Sequence, residues 1–468
     1  MEDEEQFVLE AHDDALAETL DAEHLFSVGG ESRRIEGSQQ MRAGDPQALE
    51  LPAYHARPHT LHVDRHVRKL WHDSDLDAGR ARIPAMEGGK PGNREQRIAL
   101  ALTGGGARGA YQAGVLAGIA DRAGGDACFP IITGVSAGAI NAATLASHRG
   151  DLLAATQQLR EAWLNLRIER VFRSSVGSLS SSLLRWSSKL LSGGAVPFQL
   201  RGLLDTAPLR EYLTNLIDFS GIDDNIRAGR LRALALSMTG YATGCTVTFV
   251  HGDREISDWE RAHRMSVRAC IGVEHVMASA ALPMVFPAIQ VGEEYFGDGS
   301  IRHAAPLAPA VHLGADRIVA ISVRYGLSEA ERAVPQVSGY PPPAQILGMM
   351  MHGVFLDALE NDAERLVRIN RTLSLLPPGT KHPEGLRPVQ ILLLRPSEDL
   401  GKLSAGLVHT LPRALRILAR GLGATGTTTP DFLSYLLFEP PYTERLMEIG
   451  FNDARAQWDR IESFLAGP

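Results

Sequence analysis

The sequence predicts an α/β protein, with three layers (α/β/α) around a mainly parallel central sheet and a helical C-terminal extension. Two observations support this class. Between about residues 97 and 147, short apolar strands alternate with helices rich in small residues, and each strand runs into a glycine-containing turn. The strands are apolar throughout, as expected where helices cover both faces of a sheet. At 468 residues and 44% hydrophobic, the chain can bury one large domain with extensions.

The first pair of elements is a strand over Ile98–Thr103 and a helix over Ala110–Ala120, joined by the glycine-rich turn Gly104–Gly109. A second strand over Phe129–Gly134 then leads into a helix over Ala137–Ser147. Further strands are predicted at Arg232–Met238, Thr246–His251, Arg317–Val323 and Val389–Leu394, and further helices at Ala344–Ile369, Leu407–Leu422 and Tyr442–Leu465.

Residues 150–228 are predicted to form a helical insertion. Within it, Ser174–Ser182 is rich in serine, and Leu183–Leu191 combines Trp186 with basic residues. This mixture is compatible with a mobile lid that touches lipid, because tryptophan and basic side chains suit the membrane interface. A surface helix packed on the core is the commoner outcome for such a segment.

The acidity of the chain belongs to its N-terminus. No Lys or Arg precedes Arg33, and removing the eleven acids before it changes the formal net charge from −8 to +3. Residues 1–95 are also interrupted by Gly and Pro and lack sustained periodicity, so we predict an acidic, polar, disordered segment. The remaining body is nearly neutral, which excludes the basic surface of a nucleic-acid-binding protein.

Cysteine usage and hydropathy indicate a cytoplasmic protein. Cys128, Cys245 and Cys270 show no paired spacing, so a disulfide framework or thiolate metal site is not expected. The N-terminus lacks the basic and apolar regions of a secretory signal, and no apolar run is long enough to span a bilayer. Peripheral membrane contact stays open. His59, His62 and His66 could share a helix face, but with no Cys nearby we interpret them as solvated and predict no metal.

One serine stands where a strand breaks directly into a helix. Ser136 lies between Gly134 and Gly138 in the G-x-S-x-G spacing of a nucleophile elbow. Glycine neighbours allow the sharp turn, and the helix N-terminus favours the negative charge of an acyl-transfer transition state. The spacing also fits an ordinary Gly-Ser turn before an Ala-rich helix.

The turn Gly104–Gly109 permits two interpretations. Its G-x-G-x-x-G spacing matches a dinucleotide-binding fingerprint, which needs an acid at the end of the second strand to hold the ribose. Asp121 and Asp126 precede that strand, and Ser136 occupies its end. An oxyanion hole fits better, because a polyglycine turn exposes several N–H groups without obstruction. Arg108 could fix or polarise this turn, or be an ordinary surface charge.

A serine nucleophile needs a base. Nine histidines follow Ser136, of which His303 is the most attractive because it lies near Asp298. Gly297-Asp298-Gly299-Ser300 follows a plausible strand end, although Asp-Gly is also a common turn.

Together these segments resemble the patatin-like phospholipase family, including its bacterial members with a C-terminal extension. The matching segments are Gly104–Gly109, Gly134–Gly138, Leu204–Leu209, Ala278–Pro283 with Phe286-Pro287, and Asp298-Gly299, and in the extension Leu436–Tyr442. The resemblance covers roughly Arg97–Arg324 and extends to residues 340–468, whereas residues 1–95 are not covered.

The resemblance implies a Ser–Asp dyad without histidine, in which Ser136 is the nucleophile and Asp298 the base. It implies oxyanion N–H groups from Gly104, Gly105, Gly106 and Ala107, supported by the motif residues Arg108, Gly109, Gly134, Gly138 and Gly299. No cofactor is required. Ser300 stands where the family usually has Gly or Ala. This position shapes the turn after Asp298 and is not the proton acceptor.

The predicted organisation is a polar segment over 1–95, a catalytic domain over 96–325 that includes the 150–228 insertion, and a mostly helical extension over 326–468 packed on that domain. The predicted function is a lipid acyl hydrolase, similar to phospholipase A or lysophospholipase. The alternatives are a Rossmann-type nucleotide-binding enzyme and a non-catalytic lipid-binding protein that uses the same groove.

Overall fold

The computed structural model describes residues 97–124, 127–173, 202–333, 340–377, 380, 382, 385–421 and 430–467. These residues belong to one compact unit. The predictions for residues 1–95, including their histidines, and for the lid at Ser174–Leu191 lie outside the described residues.

The centre of the fold is a mixed sheet in which the longest run of neighbours is parallel. The strands are β1 Ile98–Leu102, β2 Ile131–Val135, β3 Ala233–Gly240, β4 Thr246–Gly252, β5 Glu260–Arg261, β6 Arg264–Arg268, β7 Ile289–Val291, β8 Glu294–Asp298, β9 Arg317–Ile321 and β10 Gln390–Leu394. Their order is β10-β9-β1-β2-β3-β4-β6-β5, and β8 pairs with both β3 and β7. From β10 to β3 every pair is parallel. The predicted mainly parallel sheet is confirmed.

The helices cover both faces of this sheet, as buried parallel strands require. They are α1 Gly109–Ala123, α2 Ala137–Ser147, α3 Leu152–Asn165, α4 Ile168–Val171, α5 Ala207–Leu216, α6 Ser220–Arg227, α7 Val273–Ser279, α8 Ala308–His312, α9 Glu329–Arg332, α10 Pro343–Phe355, α11 Asp357–Ser374, α12 Leu400–Leu403, α13 Arg413–Gly421, α14 Pro430–Ser434, α15 Pro440–Ala456 and α16 Trp458–Ala466. None of these helices combines the length and the hydropathy that crossing a bilayer requires.

The strand register brings three loops to one edge of the sheet. Leu102 of β1 lies beside Gly134 of β2, and Val135 of β2 lies beside Ser237 of β3. The carboxyl ends of these parallel strands therefore meet, as is usual for ligand sites in open α/β sheets. The glycine turn after β1 and Ser136 after β2 both lie at this edge.

The C-terminal part of the chain is built into the same fold. β10 extends the sheet beside β9, and α15 packs against α1. The two helices touch through glycines: a Cβ at Gly114 would lie 2.1 Å from the Met447 carbonyl oxygen, and one at Gly450 would lie 2.3 Å from that of Tyr111. Only glycine allows so close an approach of the two backbones.

Three predicted helices are divided in the structure. The segment 344–369 breaks at Leu356 into α10 and α11, and the segment 442–465 breaks at Gln457 into α15 and α16. The segment 407–422 consists of a 3-10 helix over Ala405–Thr410 followed by α13. Leu411 lies between this 3-10 helix and α13 and has an extended backbone. It precedes Pro412, and the residue before a proline is disfavoured in the helical region.

Candidate active site

Ser136 occupies the sharp turn between β2 and α2. Its φ of 57° and ψ of −128° are rarely adopted by residues other than glycine, so the backbone is strained here. The flanking glycines make the turn possible. A Cβ at Gly134 would lie 2.6 Å from the Gly138 carbonyl oxygen, and one at Gly138 would lie 2.3 Å from that of Leu102. The elbow geometry predicted from the spacing is therefore present.

Ser279, at the C-terminal end of α7, holds the backbone of this turn. The Ser136 N–H donates to Ser279 Oγ at 3.0 Å, and the Ser279 hydroxyl donates to the Ser237 carbonyl at 2.7 Å. Ser279 is fully buried. In the sequence, Ser279 is noticeable only as a member of the matching segment Ala278–Pro283. Its role depends on the pairing of β2 with β3, which places Ser237 beside the elbow.

Asp298 reaches the same place from the end of β8. This strand is antiparallel to β3, and Met238 pairs with Asp298. The Asp298 carbonyl accepts the Thr239 hydroxyl at 3.0 Å, and its N–H donates to the Ala281 carbonyl at 2.9 Å. A Cβ at Gly299 would lie 2.2 Å from the Ser237 carbonyl oxygen, so the turn after Asp298 requires glycine.

The carboxyl group of Asp298 is fully buried. Its Oδ1 accepts the Ser300 N–H at 2.9 Å. Among the described residues, Oδ2 has no partner in hydrogen-bond geometry, although the Ser136 hydroxyl is near enough to favour the ionised form. Burial outweighs that effect and the contribution of Ser300, and it raises the pKa of Asp298 to about 6. A carboxylate in this state is a stronger base than an exposed one, and it still ionises near neutral pH.

The glycine turn lies against the nucleophile. A Cβ at Gly104 would lie 2.8 Å from Ser136 Cβ, and the positive φ angles of Gly105 (154°) and Gly106 (57°) suit glycine. In the described part of the chain, no loop or turn hydrogen bond occupies the N–H of Gly104, Gly105 or Gly106. These groups are available to an oxyanion beside Ser136.

Ala107 differs from the sequence prediction. Its N–H donates to the Tyr435 carbonyl at 3.0 Å, so this group is already engaged and is removed from the set of oxyanion donors. Gly109 lets α1 approach its neighbours, because a Cβ there would lie 2.9 Å from Ala137 Cβ and 3.0 Å from the Trp163 ring.

Arg108 is not an ordinary surface charge. Its side chain is buried, with Nε donating to Ser434 Oγ at 2.7 Å and a terminal nitrogen 3.1 Å from Asp431 Oδ1. The guanidinium lies 4.7 Å from the centre of the Tyr435 ring. Arg108 therefore attaches the C-terminal segment around α14 to the glycine turn, and does not point at the nucleophile.

Ser136 and Asp298 line a narrow, predominantly apolar cleft that is partly open to solvent. Its lining includes Ile140, Leu166 and Val171 from the first half of the fold, and Phe355, Leu436 and Phe438 from the C-terminal region. Phe438 is held by stacking on Trp163, with ring centres 6.4 Å apart. Such a lining suits a hydrocarbon chain.

His303 lies elsewhere. It lines a separate small cavity with Arg264 and His312, and burial together with Arg264 lowers the pKa of His303 to about 4. No histidine is among the described residues that line the cleft. The described residues also hold no cluster of three or more His, Cys, Asp or Glu side chains arranged for a metal ion.

The candidate site lies within a part of the chain that matches a known protein family. Residues 100–311 match the family model described as Patatin-like phospholipase. No curated protein sequence matches the chain.

Three solved structures align with this chain at low identity. VipD from Legionella pneumophila is 13% identical, with 78% of this chain and 67% of VipD covered and a TM-score of 0.31. Human GIVD cytosolic phospholipase A2 is 14% identical, with 79% and 60% covered and a TM-score of 0.38. The ExoU–SpcU complex of Pseudomonas aeruginosa gives 15% identity, 79% and 76% coverage and a TM-score of 0.24. The chain thus spans about three fifths of the human enzyme.

Proposed function

Residues 100–311 form a domain of the patatin-like phospholipase family, and on this premise we propose that the chain hydrolyses acyl lipids through a Ser136–Asp298 dyad. The observation that carries the proposal is the position of a strained, cleft-lining serine beside a buried carboxylate whose Oδ2 has no described hydrogen-bond partner. The absence of histidine from the described cleft lining favours this dyad over a triad with His303.

Acylation begins when Ser136 Oγ attacks the carbonyl carbon of the ester. The hydroxyl proton passes to Asp298, and the negative charge moves to the former carbonyl oxygen. The N–H groups of the glycine turn at Gly104, Gly105 and Gly106, together with the N-terminus of α2, stabilise this oxyanion. The tetrahedral intermediate then collapses, and Asp298 returns the proton to the departing alcohol.

Deacylation repeats these steps with water. Asp298, again ionised, takes a proton from a water molecule, whose oxygen attacks the carbonyl carbon of acyl-Ser136. Collapse of the second intermediate breaks the bond to Ser136 Oγ and releases the fatty acid. The proton on Asp298 returns to Ser136, so one carboxyl group serves as base and acid in turn.

The cleft defines the class of substrate. Its aliphatic and aromatic lining favours a long acyl chain, as found in phospholipids, lysophospholipids and acylglycerols. Such lipids reside in membranes or micelles, so the proposal includes peripheral contact with a lipid surface. Nothing in the mechanism calls for a cofactor.

Labelling with a fluorophosphonate probe, together with a lipid-hydrolysis panel, tests the dyad. Wild type should be labelled, and Ser136→Ala should be neither labelled nor active. Asp298→Asn should lose roughly 10²–10⁴-fold in kcat/KM, because the general base is gone. Ser147→Ala is a matched control, since Ser147 is a buried serine at the far end of α2, the helix that Ser136 precedes, and its hydroxyl donates to the Thr144 carbonyl within that helix.

Three outcomes would contradict the proposal. Full activity in Asp298→Asn would exclude the dyad, and loss of activity in a folded His303→Gln variant would indicate a triad. Binding of liposomes without probe labelling or ester cleavage would identify a non-catalytic lipid-binding protein.

A further inference from the structure

The helix α10 and its flanks carry no formal charge. From Ala333 to Leu356 the sequence contains no Asp, Glu, Lys or Arg. Within the described part of this stretch, large apolar side chains nevertheless face solvent: Tyr340 is 92% exposed, Ile346 43%, Met349 70% and Met350 63%. We call these four residues the α10 face. An uncharged helix with exposed methionines is unusual on a surface that faces water. Contiguous exposed apolar groups of this kind mark interaction sites.

The exposed and buried sides of α10 are clearly separated. Ile346, Met349 and Met350 follow the i, i+3, i+4 spacing of one helix face. On the other side Ala344 and Gly348 are buried, and a Cβ at Gly348 would lie 3.3 Å from Asp431 Cβ. The helix is thus packed on α14 by its inner side, and the residues of its outer side are exposed.

The same helix reaches the catalytic cleft. Phe355, its last residue, lines the cleft with Ser136 and Asp298. α10 also packs against the 3-10 turn Gly299–Ile301 that follows Asp298. The α10 face and the acyl-binding lining are therefore two sides of one continuous apolar element.

We propose that the α10 face is the surface on which the protein docks to a lipid aggregate, so that an acyl chain passes along α10 into the cleft. This inference rests on the proposed function, because a substrate held in a lipid phase must be reached there. A lipid surface fits this face better than a protein partner does. The exposed side chains offer methyl, thioether and aromatic groups, with the Tyr340 hydroxyl as the sole hydrogen-bonding group among them. A helix of 13 residues, about 20 Å long, suits shallow insertion in the plane of the interface.

Because α10 itself brings no cation, attachment should be hydrophobic in character. Vesicles of phosphatidylcholine, which carry no net charge, should bind the protein. Raising the ionic strength should leave this binding largely unchanged, since salt screens charge–charge attraction and not apolar burial. Loss of binding in high salt would overturn the proposal, because it would show that basic residues elsewhere carry the attachment.

The direct test is a Met349→Glu/Met350→Glu double variant. We expect its binding to phosphatidylcholine vesicles, measured by co-sedimentation, to weaken by about tenfold or more, because two carboxylates enter an apolar contact. Hydrolysis of a water-soluble short-chain nitrophenyl ester should stay within about twofold of wild type, since neither side chain lines the cleft. Leu153→Glu, at a 48% exposed leucine of α3, is the matched control and should bind vesicles as wild type does.

Binding is measured in the Ser136→Ala background, so that docking and catalysis are tested separately. Weaker vesicle binding by the double variant supports docking through the α10 face, whether or not the wild type cleaves an ester. If the wild type cleaves none, only the proposed function fails. Unchanged vesicle binding in the double variant overturns the docking proposal. A wild-type dimer that the double variant converts to a monomer, seen by analytical ultracentrifugation, would also overturn it and assign the face to a second copy of this chain.

Discussion

At the scale of single residues, both members of the proposed dyad are held in energetically costly states. Ser136 has a backbone conformation that favours glycine, and Asp298 is a carboxyl group removed from water. Neither state increases the stability of the fold. Both hold a functional group in a fixed position between the surrounding strands. The cost at Asp298 depends on pH and is therefore measurable.

The pH dependence of catalysis follows from Asp298. Its pKa of about 6 means that the basic form predominates only above that pH. We expect kcat/KM for a soluble ester to rise with pH, with a midpoint near 6, and then to level off. A midpoint near pH 4 would indicate an exposed carboxylate as the base, and that would contradict the burial of Asp298.

Stability should respond in the opposite sense. A carboxyl group whose pKa is raised on folding stabilises the fold only when protonated, and that contribution is lost as pH rises through about 6. Asp298→Asn should therefore raise the free energy of unfolding at pH 8 by roughly 1–3 kcal/mol, and by much less at pH 4.5. Urea denaturation of both proteins at the two pH values measures this. Equal effects at both pH values would show that the charge is not responsible.

The residues proposed to react can be recognised in the sequence, whereas the residues that support them cannot. Ser136 and Gly104–Gly106 belong to local motifs, where spacing along the chain reflects geometry. Ser279 and Arg108 act through partners more than 100 residues away, such as Ser136 and Ser434. No local pattern shows which carbonyl or hydroxyl such a side chain meets. For the same reason the bond from Ala107 to Tyr435 was not foreseen.

At the scale of elements, the contact of α1 with α15 determines how firmly the glycine turn is supported. Because α1 begins at the end of that turn, displacing the helix would displace the N–H groups that we propose as oxyanion donors. The close approach depends on Gly114 and Gly450, whose missing Cβ atoms make room for the facing backbone. Substitution at these positions tests the element directly.

We expect Gly114→Ala to destabilise the protein by about 2–3 kcal/mol, because its Cβ would lie 2.1 Å from the Met447 carbonyl oxygen. Gly353→Ala is the control. Gly353 is an exposed helical glycine of α10 with nothing within 4 Å of the added Cβ, and alanine there should raise stability by up to about 1 kcal/mol. Thermal or urea unfolding compares the two. A neutral Gly114→Ala would mean that α1 and α15 separate easily.

The predicted bounds of strands and helices agree with the structure where the element is regular and apolar. The helix Ala137–Ser147 was predicted with its observed bounds, and the strands near Ile98 and Ile131 to within about two residues. Helix breaks such as that at Leu356 were missed, because both sides of the break are good helix formers. The break reflects packing of α10 and α11 on different neighbours, which a periodic pattern does not encode.

At the scale of the whole molecule, the C-terminal region completes the site as well as extending the sheet. Tyr435, Leu436 and Phe438 line the cleft, and Arg108 is satisfied by Asp431 and Ser434. Removing this region would leave a buried cation without partners and open one wall of the cleft. Such a loss is costly even before the packing of α15 is counted.

A chain truncated after Gly421 should therefore be inactive on soluble esters as well as on lipids, and should lose its cooperative thermal transition. Circular dichroism and nitrophenyl ester hydrolysis measure both effects. The full-length variant Phe438→Ala is the comparison. It should keep a cooperative transition while losing affinity for long acyl chains, because it removes one aromatic wall and leaves the fold otherwise intact. Activity retained by the truncated chain would show that the site does not need the residues after Gly421.

The attachment of Arg108 to Ser434 has a consequence for the order of synthesis. Ser136 and the glycine turn leave the ribosome some 300 residues before the segment that closes the cleft around them. Until residues 431–438 emerge and dock on Arg108, the nascent chain has an elbow serine but an incomplete cleft wall. The cleft, and with it the proposed hydrolase activity, is therefore complete only after this segment has been synthesised and has docked.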